Sequence, residues 1–555
     1  MDYQAEYKRW RDSVAEKDLK AELETMDGAA VEDAFYRDLA FGTGGLRGVL
    51  GAGTNRMNVY VVAKASQGLA DYLRSASGAP SVVIGYDSRI KSDVFARTAA
   101  GVFAANGVRV HIWPELLPVP TVSYAVRALG ASAGVMITAS HNPSKYNGYK
   151  VYGPDGCQST TEAAAAILAE IEKLDVFQDV KTSDFEEGRK SGLIGYIGGD
   201  VLTAFIEEVK KQSVLFGDPV DRDVAIVYSP LNGTGLKPVT RALRESGFTN
   251  ITVVGEQRDP DGRFPTCPYP NPEIREAMEL GLRYCERTGA DLLLATDPDC
   301  DRCGIAVRTA SGEYQLLSGN EVGLLLLDYV CGQRIRHGRM PRQPVFVKTI
   351  VTIDLAEKIA AHYGVQTVNV LTGFKFIGEV IGRLEKQGRA SDYICGFEES
   401  YGYLTGSYVR DKDGVNAAYM ICEMFAFYKS RHISLTEQLR RIYETYGYCL
   451  NTLHSYEFGG SAGMAKMREI MQGFRQGVNE IAGEKVEKTE DYSLGLNGLP
   501  KSDVLKYYTA SGSVVIRPSG TEPKLKTYIS VTAPDQAAAA EKEKRISAEL
   551  AEHMK

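Results

Sequence analysis

"SVVIGYDSRIKSDVFARTAAGVFAANGVRVHIWP", residues 81–114, decides the fold. A β-branched apolar run stops at Asp87, an Ala- and Phe-bearing stretch with helical spacing follows, and a second apolar run begins at Val108. Short apolar runs separated by one amphipathic helix predict parallel strands joined by a crossover. The rhythm continues through "TVSYAVRALG" (121–130) into "AGVMITAS" (133–140). It returns in "DVAIVYSP" (223–230), "ITVVG" (251–255) and "DLLLATDPDCDR" (291–302) with helices between them. A third round runs through "PVFVKTI" (344–350), "VQTVNV" (365–370) and "DYICGFEES" (392–400). The final segment differs: "SVVIRPSGTEPKLKTYISVTA" (513–533) and a charged helix read as a smaller α+β unit. With 555 residues the chain exceeds what one core holds. The expectation is an α/β protein of four domains, spanning 1–197, 198–310, 311–440 and 441–555.

Hydrophobic residues make up 44% and charged residues 24%, the balance of an ordinary globular chain. A net charge of −7, with basic residues scattered, argues against nucleic acid or an anionic membrane as partner. No apolar run approaches the ~20 residues of a membrane helix, and the charged start "MDYQAEYKRWRDSVAEKDLKAELETM" lacks a signal-peptide core. A cytoplasmic protein is expected, and the nine scattered cysteines fit reduced thiols. Cys300 and Cys303 form one C-x-x-C without a second pair or a nearby histidine, which disfavours zinc.

In each of the three rounds a polar cluster follows the last apolar strand, where ligands of open α/β sheets collect. Asp297, Asp299 and Asp301 alternate over five positions after "LLLAT". Three carboxylates that close repel unless a cation lies among them, and an all-oxygen set selects a hard ion such as Mg²⁺. A solvated acidic turn is the plainer alternative, which the buried strand before it disfavours. In "RPSGTEPK" (517–524) Arg517 offers a bidentate fork, Ser519 and Thr521 hydroxyls, Gly520 backbone amides and Lys524 a further cation, the parts of a phosphate cradle. A Pro-Gly turn with incidental polar residues is the alternative. "FGTGGLRG" (41–48) follows a helical segment and lacks dinucleotide spacing; its use would be to let backbone and Arg47 approach an anion.

In "TASHNPSKYNGYK" (138–150) Ser140 ends a strand where a nucleophile is held rigidly, outside any G-x-S-x-G. Beside a metal site and a phosphate cradle, its fitting task is to carry a phosphoryl group. His141 and Lys150 are then candidates for proton transfer and charge stabilisation, with a loop-bracing role as the alternative for each. In "GFEESYG" (396–402) Glu398 and Ser400 suit sugar hydroxyls.

"TASHNP", "DPDCDR", "GFEESYG" and "RPSGTEP", in this order, resemble the α-D-phosphohexomutase superfamily over residues 38–530. The resemblance implies three related mixed α/β domains and a C-terminal α+β domain around a central cleft. It implies an isomerase that moves a phosphoryl group between C1 and C6 of a hexose phosphate, with glucose 1,6-bisphosphate as activator and intermediate. Ser140 would be the phosphorylated residue, binding Mg²⁺ together with Asp297, Asp299 and Asp301. Arg47, His141, Lys150 and Arg302 fall on matching motif positions. By the same resemblance "TGFK" would supply Thr372, Gly373 and Lys375 to the substrate, and Lys412 in "VRDKDG" would join Glu398 and Ser400. "FGTGGLRG" and "FEESYGY" look most like the phosphoglucomutase-2 and phosphopentomutase-like branch, while the G-E-M-S-G-H form of phosphomannomutase types is missing. Mannose or pentose phosphates remain alternative substrates, and a sugar phosphatase or non-catalytic binder alternative functions. A monomer or weak homodimer is expected, with small sugar phosphates as partners.

Overall fold

The three strand–helix rounds build three sheets and the last segment a fourth. The computed structural model describes residues 2–42, 44–458, 460–496, 498–519 and 524–554. In the first sheet the strands lie in the order Gly45–Val49, Tyr146–Tyr152, Ala133–Ile137, Ser81–Tyr86, Arg109–Ile112, Ile194–Tyr196. The last four are parallel, as the crossovers require. Alternate strand residues face opposite sides, so each crossover helix takes one face. Phe95, Ala99 and Phe103 pack with Val82 and Ile84, while Val119, Val122 and Val126 pack with Val83 and Met136.

The first two strands are antiparallel additions outside the strand–helix alternation. Strand Tyr146–Tyr152 is almost wholly buried, yet Asn147 and Lys150 break its apolar pattern because both find partners: Asn147 donates to the Ile90 carbonyl and the Ser92 hydroxyl, and Lys150 to Asp299. Gly148 is required there: a Cβ would stand 2.4 Å from the Thr138 carbonyl oxygen and 2.8 Å from that of Leu46.

The second sheet runs Tyr314–Leu317, Cys303–Arg308, Leu292–Thr296, Ile226–Ser229, Ile251–Val253. Its edge hairpin pairs Ile305 with Leu317, so the sheet continues past the division expected at 310. The third sheet runs Gln366–Val370, Val345–Thr349, Tyr393–Glu398, Gly402–Thr405. Helix Leu435–Tyr446 likewise crosses the expected division at 440. The fourth sheet is an antiparallel ladder, Tyr448–Glu457, Lys524–Ala533, Gly512–Pro518, Leu505–Thr509, Lys488–Asp491, packed against helices Gly460–Arg475 and Gln536–His553.

Three short helices precede the first sheet and dock through Trp10, whose ring meets Phe35, Tyr60 and Phe177 edge-on. Among the described residues no helix is long and apolar enough to cross a membrane. All nine cysteines are buried and unpaired, Cys300 and Cys303 included.

Candidate active site

Strands Ala133–Ile137, Leu292–Thr296 and Tyr393–Glu398 are buried throughout, and each delivers its polar cluster to one cavity of about 490 Å³. All four domains line it. The first contributes Arg47, Ser140, His141, Lys150 and Gln158; the second Glu273, Asp301 and Arg302. From the third come Thr372, Gly373, Glu398, Ser400 and Lys412 among others, and from the fourth Asn451, Arg517, Lys526 and Tyr528.

Ser140 is 3% exposed and has φ 52°, a left-handed backbone that a non-glycine residue adopts at a cost of about 1–2 kcal/mol. Arg89 over-determines that conformation. Its buried guanidinium donates to the carbonyl oxygens of Ser140 at 2.5 Å, Pro143 at 3.0 Å, Tyr146 at 3.0 Å and, through a further contact, Asn142. Asp87 lies 3.5 Å from the Arg89 Nε and accepts from the Arg89 amide and the Ser92 hydroxyl. The sequence reading missed Arg89, although "YDSR" at a strand end was visible. Arg89→Met should leave several buried carbonyls without donors, at about 1–3 kcal/mol each. The expected result is a drop in thermal midpoint, with kcat roughly a hundredfold lower because the serine is misplaced. Calorimetry and steady-state rates check both.

The Ser140 Oγ donates to Asp297 Oδ2 at 2.9 Å and lies 3.1 Å from His141 Nδ1. Burial and the Arg302 and Arg47 cations hold His141 well below the usual imidazole range, so its ring is neutral at pH 7. The Asp297, Asp299 and Asp301 carboxylates offer ligand oxygens within 4.8 Å of one another, all buried. Lys150 Nζ donates to Asp299 Oδ2 at 2.9 Å and Asp301 Oδ2 at 3.3 Å, and Lys412 Nζ reaches Asp301 Oδ2 at 2.9 Å. For both lysines burial opposes the charge, but neighbouring carboxylates outweigh it and raise their pKa. The Asp297 pKa is raised as well, by burial and the like charges of Asp299 and Asp301, well above the carboxylate range, which for an acid favours the neutral form. The trio fits a hard divalent cation: Asp299 Oδ1 and Asp301 Oδ1 are buried with no hydrogen-bond donor among the described residues, a state that a metal relieves.

Arg302 donates to the Ser400 carbonyl at 2.8 Å and contacts Glu273. The turn that bears the three aspartates is held from both sides: Val119 donates its amide to the Asp299 carbonyl, and Gly414 to that of Cys300. Arg47 donates to the Asn142 side chain at 2.9 Å. Glu398 accepts from the Gly373 amide at 3.0 Å, and burial pushes its pKa up to about 7. On the same wall the Thr372 hydroxyl is buried without a partner among the described residues.

Three expected residues stand elsewhere. Lys375 lies outside the cavity wall, its buried amine 4.8 Å from the Phe376 ring centroid. Lys524 pairs with Glu457 at 2.9 Å as its cross-strand partner. Ser519 closes a backbone turn by donating its amide to the Lys524 carbonyl. Gly520 and Thr521 lie outside the described residues. Arg517 does reach the wall, its guanidinium donating to the Tyr528 hydroxyl at 3.1 Å. Its domain is pinned by Asp354, which accepts from Lys506 at 2.9 Å and Ser513 at 2.6 Å across the boundary and from Lys348 at 3.2 Å within its own domain.

Models of the phosphoglucomutase/phosphomannomutase family match in four consecutive parts. These are alpha/beta/alpha domains I, II and III over residues 38–177, 203–312 and 318–446, and the C-terminal domain over 465–548. A phosphoglucomutase of Staphylococcus saprophyticus is 35% identical over 534 residues, covering 94% of this chain and 96% of the relative. Two solved structures share the fold. Parafusin from Paramecium, an exocytosis-sensitive phosphoprotein titled a phosphoglucomutase, in its open form, superposes with a TM-score of 0.68 at 18% identity, covering 94% of each chain. A phosphoglucomutase/phosphomannomutase family protein of Burkholderia thailandensis gives 0.67 at 18% identity, covering 92% of this chain and 97% of that one.

Proposed function

Because the chain belongs to the phosphoglucomutase/phosphomannomutase family, we propose that it interconverts glucose 1-phosphate and glucose 6-phosphate through a phosphoserine at Ser140. One observation carries the reading: the Ser140 hydroxyl stands against a buried carboxylate trio, in a single cavity that also holds Arg517 of the last domain.

The phosphorylated Ser140 donates its phosphoryl group to the free hydroxyl of a bound hexose monophosphate. The sugar oxygen forms the new P–O bond, the bond to the serine Oγ breaks, and the hydroxyl proton leaves to a nearby base. A Mg²⁺ ion held by Asp297, Asp299, Asp301 and the phosphoserine would neutralise phosphoryl charge as a Lewis acid. The rest falls to the protein's own groups. His141, neutral and in contact with Oγ, exchanges the serine's proton as the two states alternate. Lys150, Arg47 and Arg302 stay charged and stabilise the phosphoryl oxygens. Arg517, with Lys526 on the same wall, holds the phosphate that is not reacting. Thr372, Glu398, Ser400 and Lys412 bind the sugar hydroxyls. The glucose 1,6-bisphosphate then turns over within the cavity, and its other phosphate returns to Ser140.

The sugar preference is tested by kcat/KM for glucose 1-phosphate, mannose 1-phosphate and ribose 1-phosphate at one fixed bisphosphate concentration. Glucose 1-phosphate should lead; a larger value for either rival replaces glucose in the proposal. Glu398 gives a pH signature. Its carboxyl is neutral below about pH 7 and an ionised, stronger acceptor above it. Hence kcat/KM should climb as pH rises through about 7, and Glu398→Gln should flatten that part of the profile.

A further inference from the structure

A second cavity, of about 560 Å³, opens where three domains meet. Helix Val119–Ala128, helix Gly199–Lys210 and the 390–393 and 406–408 segments wall it. It shares no lining residue with the active-site cavity.

Its charges are unevenly matched. Arg127 and the fully buried Arg410 share a single carboxylate, Glu385, at 2.5 and 2.6 Å. Glu208, the other acid on the wall, is taken by Lys211 at 2.7 Å. Arg334 is different. It lines the cavity from the last turn of its helix, its Nε is buried without an acceptor, and among the described residues it pairs with no carboxylate. A half-buried guanidinium beside a cavity, with its Nε unused and no carboxylate to neutralise it, is matched by an anion that brings several acceptor oxygens. Ser391, Ser407 and Gly406 also line the cavity.

We propose that this cavity binds a small phosphate monoester, held by Arg334 and Arg127. Its place gives it a route to catalysis. Gly406, Ser407 and Tyr408 form its wall, and Lys412, only a few residues on, lines the active site and bonds Asp301. The residues between are fastened on both sides. Arg410 contacts the Ser407 carbonyl, while Asp411 accepts from Tyr152 at 3.0 Å and from Gln158 at 3.2 Å. A ligand that draws Arg127 or Ser407 toward itself therefore loads the segment that aims Lys412. The assignment rests on the second cavity alone and stands apart from the sugar preference.

Calorimetric titration of the full chain with inorganic phosphate, and separately with glycerol 3-phosphate, tests it. Ser140→Ala protein keeps the second ligand from being turned over. Two classes of site are expected, with glycerol 3-phosphate the tighter ligand at the second. Arg334→Gln should weaken that class at least ~tenfold while Arg517→Ala leaves it intact. Ser391→Asp, at an exposed position, should weaken it by charge repulsion without burdening the fold. A single class of site, a second class indifferent to both Arg334→Gln and Ser391→Asp, or one that takes only inorganic phosphate overturns the proposal.

Discussion

Replacing Ser140 with alanine is expected to lower kcat by roughly four to six orders of magnitude while the fold and sugar-phosphate binding survive. The hydroxyl is the phosphoryl acceptor in the proposed route, and positioning alone supplies no covalent alternative. Its loss removes hydrogen bonds to Asp297 and His141, a cost of about 1–3 kcal/mol against a total stability of about 5–15 kcal/mol. The Arg89 clamp acts on backbone carbonyls and is indifferent to the side chain, so the loop keeps its path. Binding of glucose 1-phosphate should remain within a few-fold of the wild type in titration calorimetry. Activity above about one hundredth of the wild-type value would place the nucleophile elsewhere.

Asp299→Asn should fold and lose about two to four orders of magnitude in kcat, with half-saturation by Mg²⁺ moved up at least tenfold. The substitution is nearly isosteric but acts twice. It replaces an anionic ligand oxygen by an amide, and it takes from Lys150 the closer of its two carboxylate partners, leaving Asp301 at 3.3 Å. Thr138, which donates to Asp299 at 3.1 Å and receives the Ser140 amide at 2.8 Å, links the same change to the serine loop. A Mg²⁺ titration of activity reads both effects. Full activity at ordinary Mg²⁺ would remove the trio from the metal assignment.

The parts of this site that were legible in the sequence share one physical signature. Ser140, Asp297 and Glu398 each follow a run of apolar residues that had to be a buried strand, and polar groups at such an end face a ligand. What was not legible depended on tertiary contact or on which way a side chain leaves a turn. Arg89 is distant in sequence from the carbonyls it binds. Gln158, Asn320, Asn451 and Tyr528 enter the cavity only because separate domains meet there. Lys524, expected in the cradle, begins a strand whose register sets it opposite Glu457, a pairing that only tertiary structure shows. Strand Tyr146–Tyr152 was concealed because its polar Asn147 and Lys150 are buried against tertiary partners, which defeats the usual alternation of hydropathy. The β-hairpin that carries the second sheet past residue 310 was concealed likewise, since Tyr314–Leu317 is only partly buried.

The covalent step is the central claim, and peptide mass measures it directly. Wild-type protein is first freed of bound phosphate, incubated with glucose 1,6-bisphosphate and Mg²⁺, quenched and digested. The peptide bearing Ser140 should gain the mass of one phosphoryl group, lose it again on addition of excess glucose 1-phosphate, and gain nothing in Ser140→Ala. If that peptide stays unmodified while the same preparation turns over substrate at full rate, the phosphoserine route is wrong.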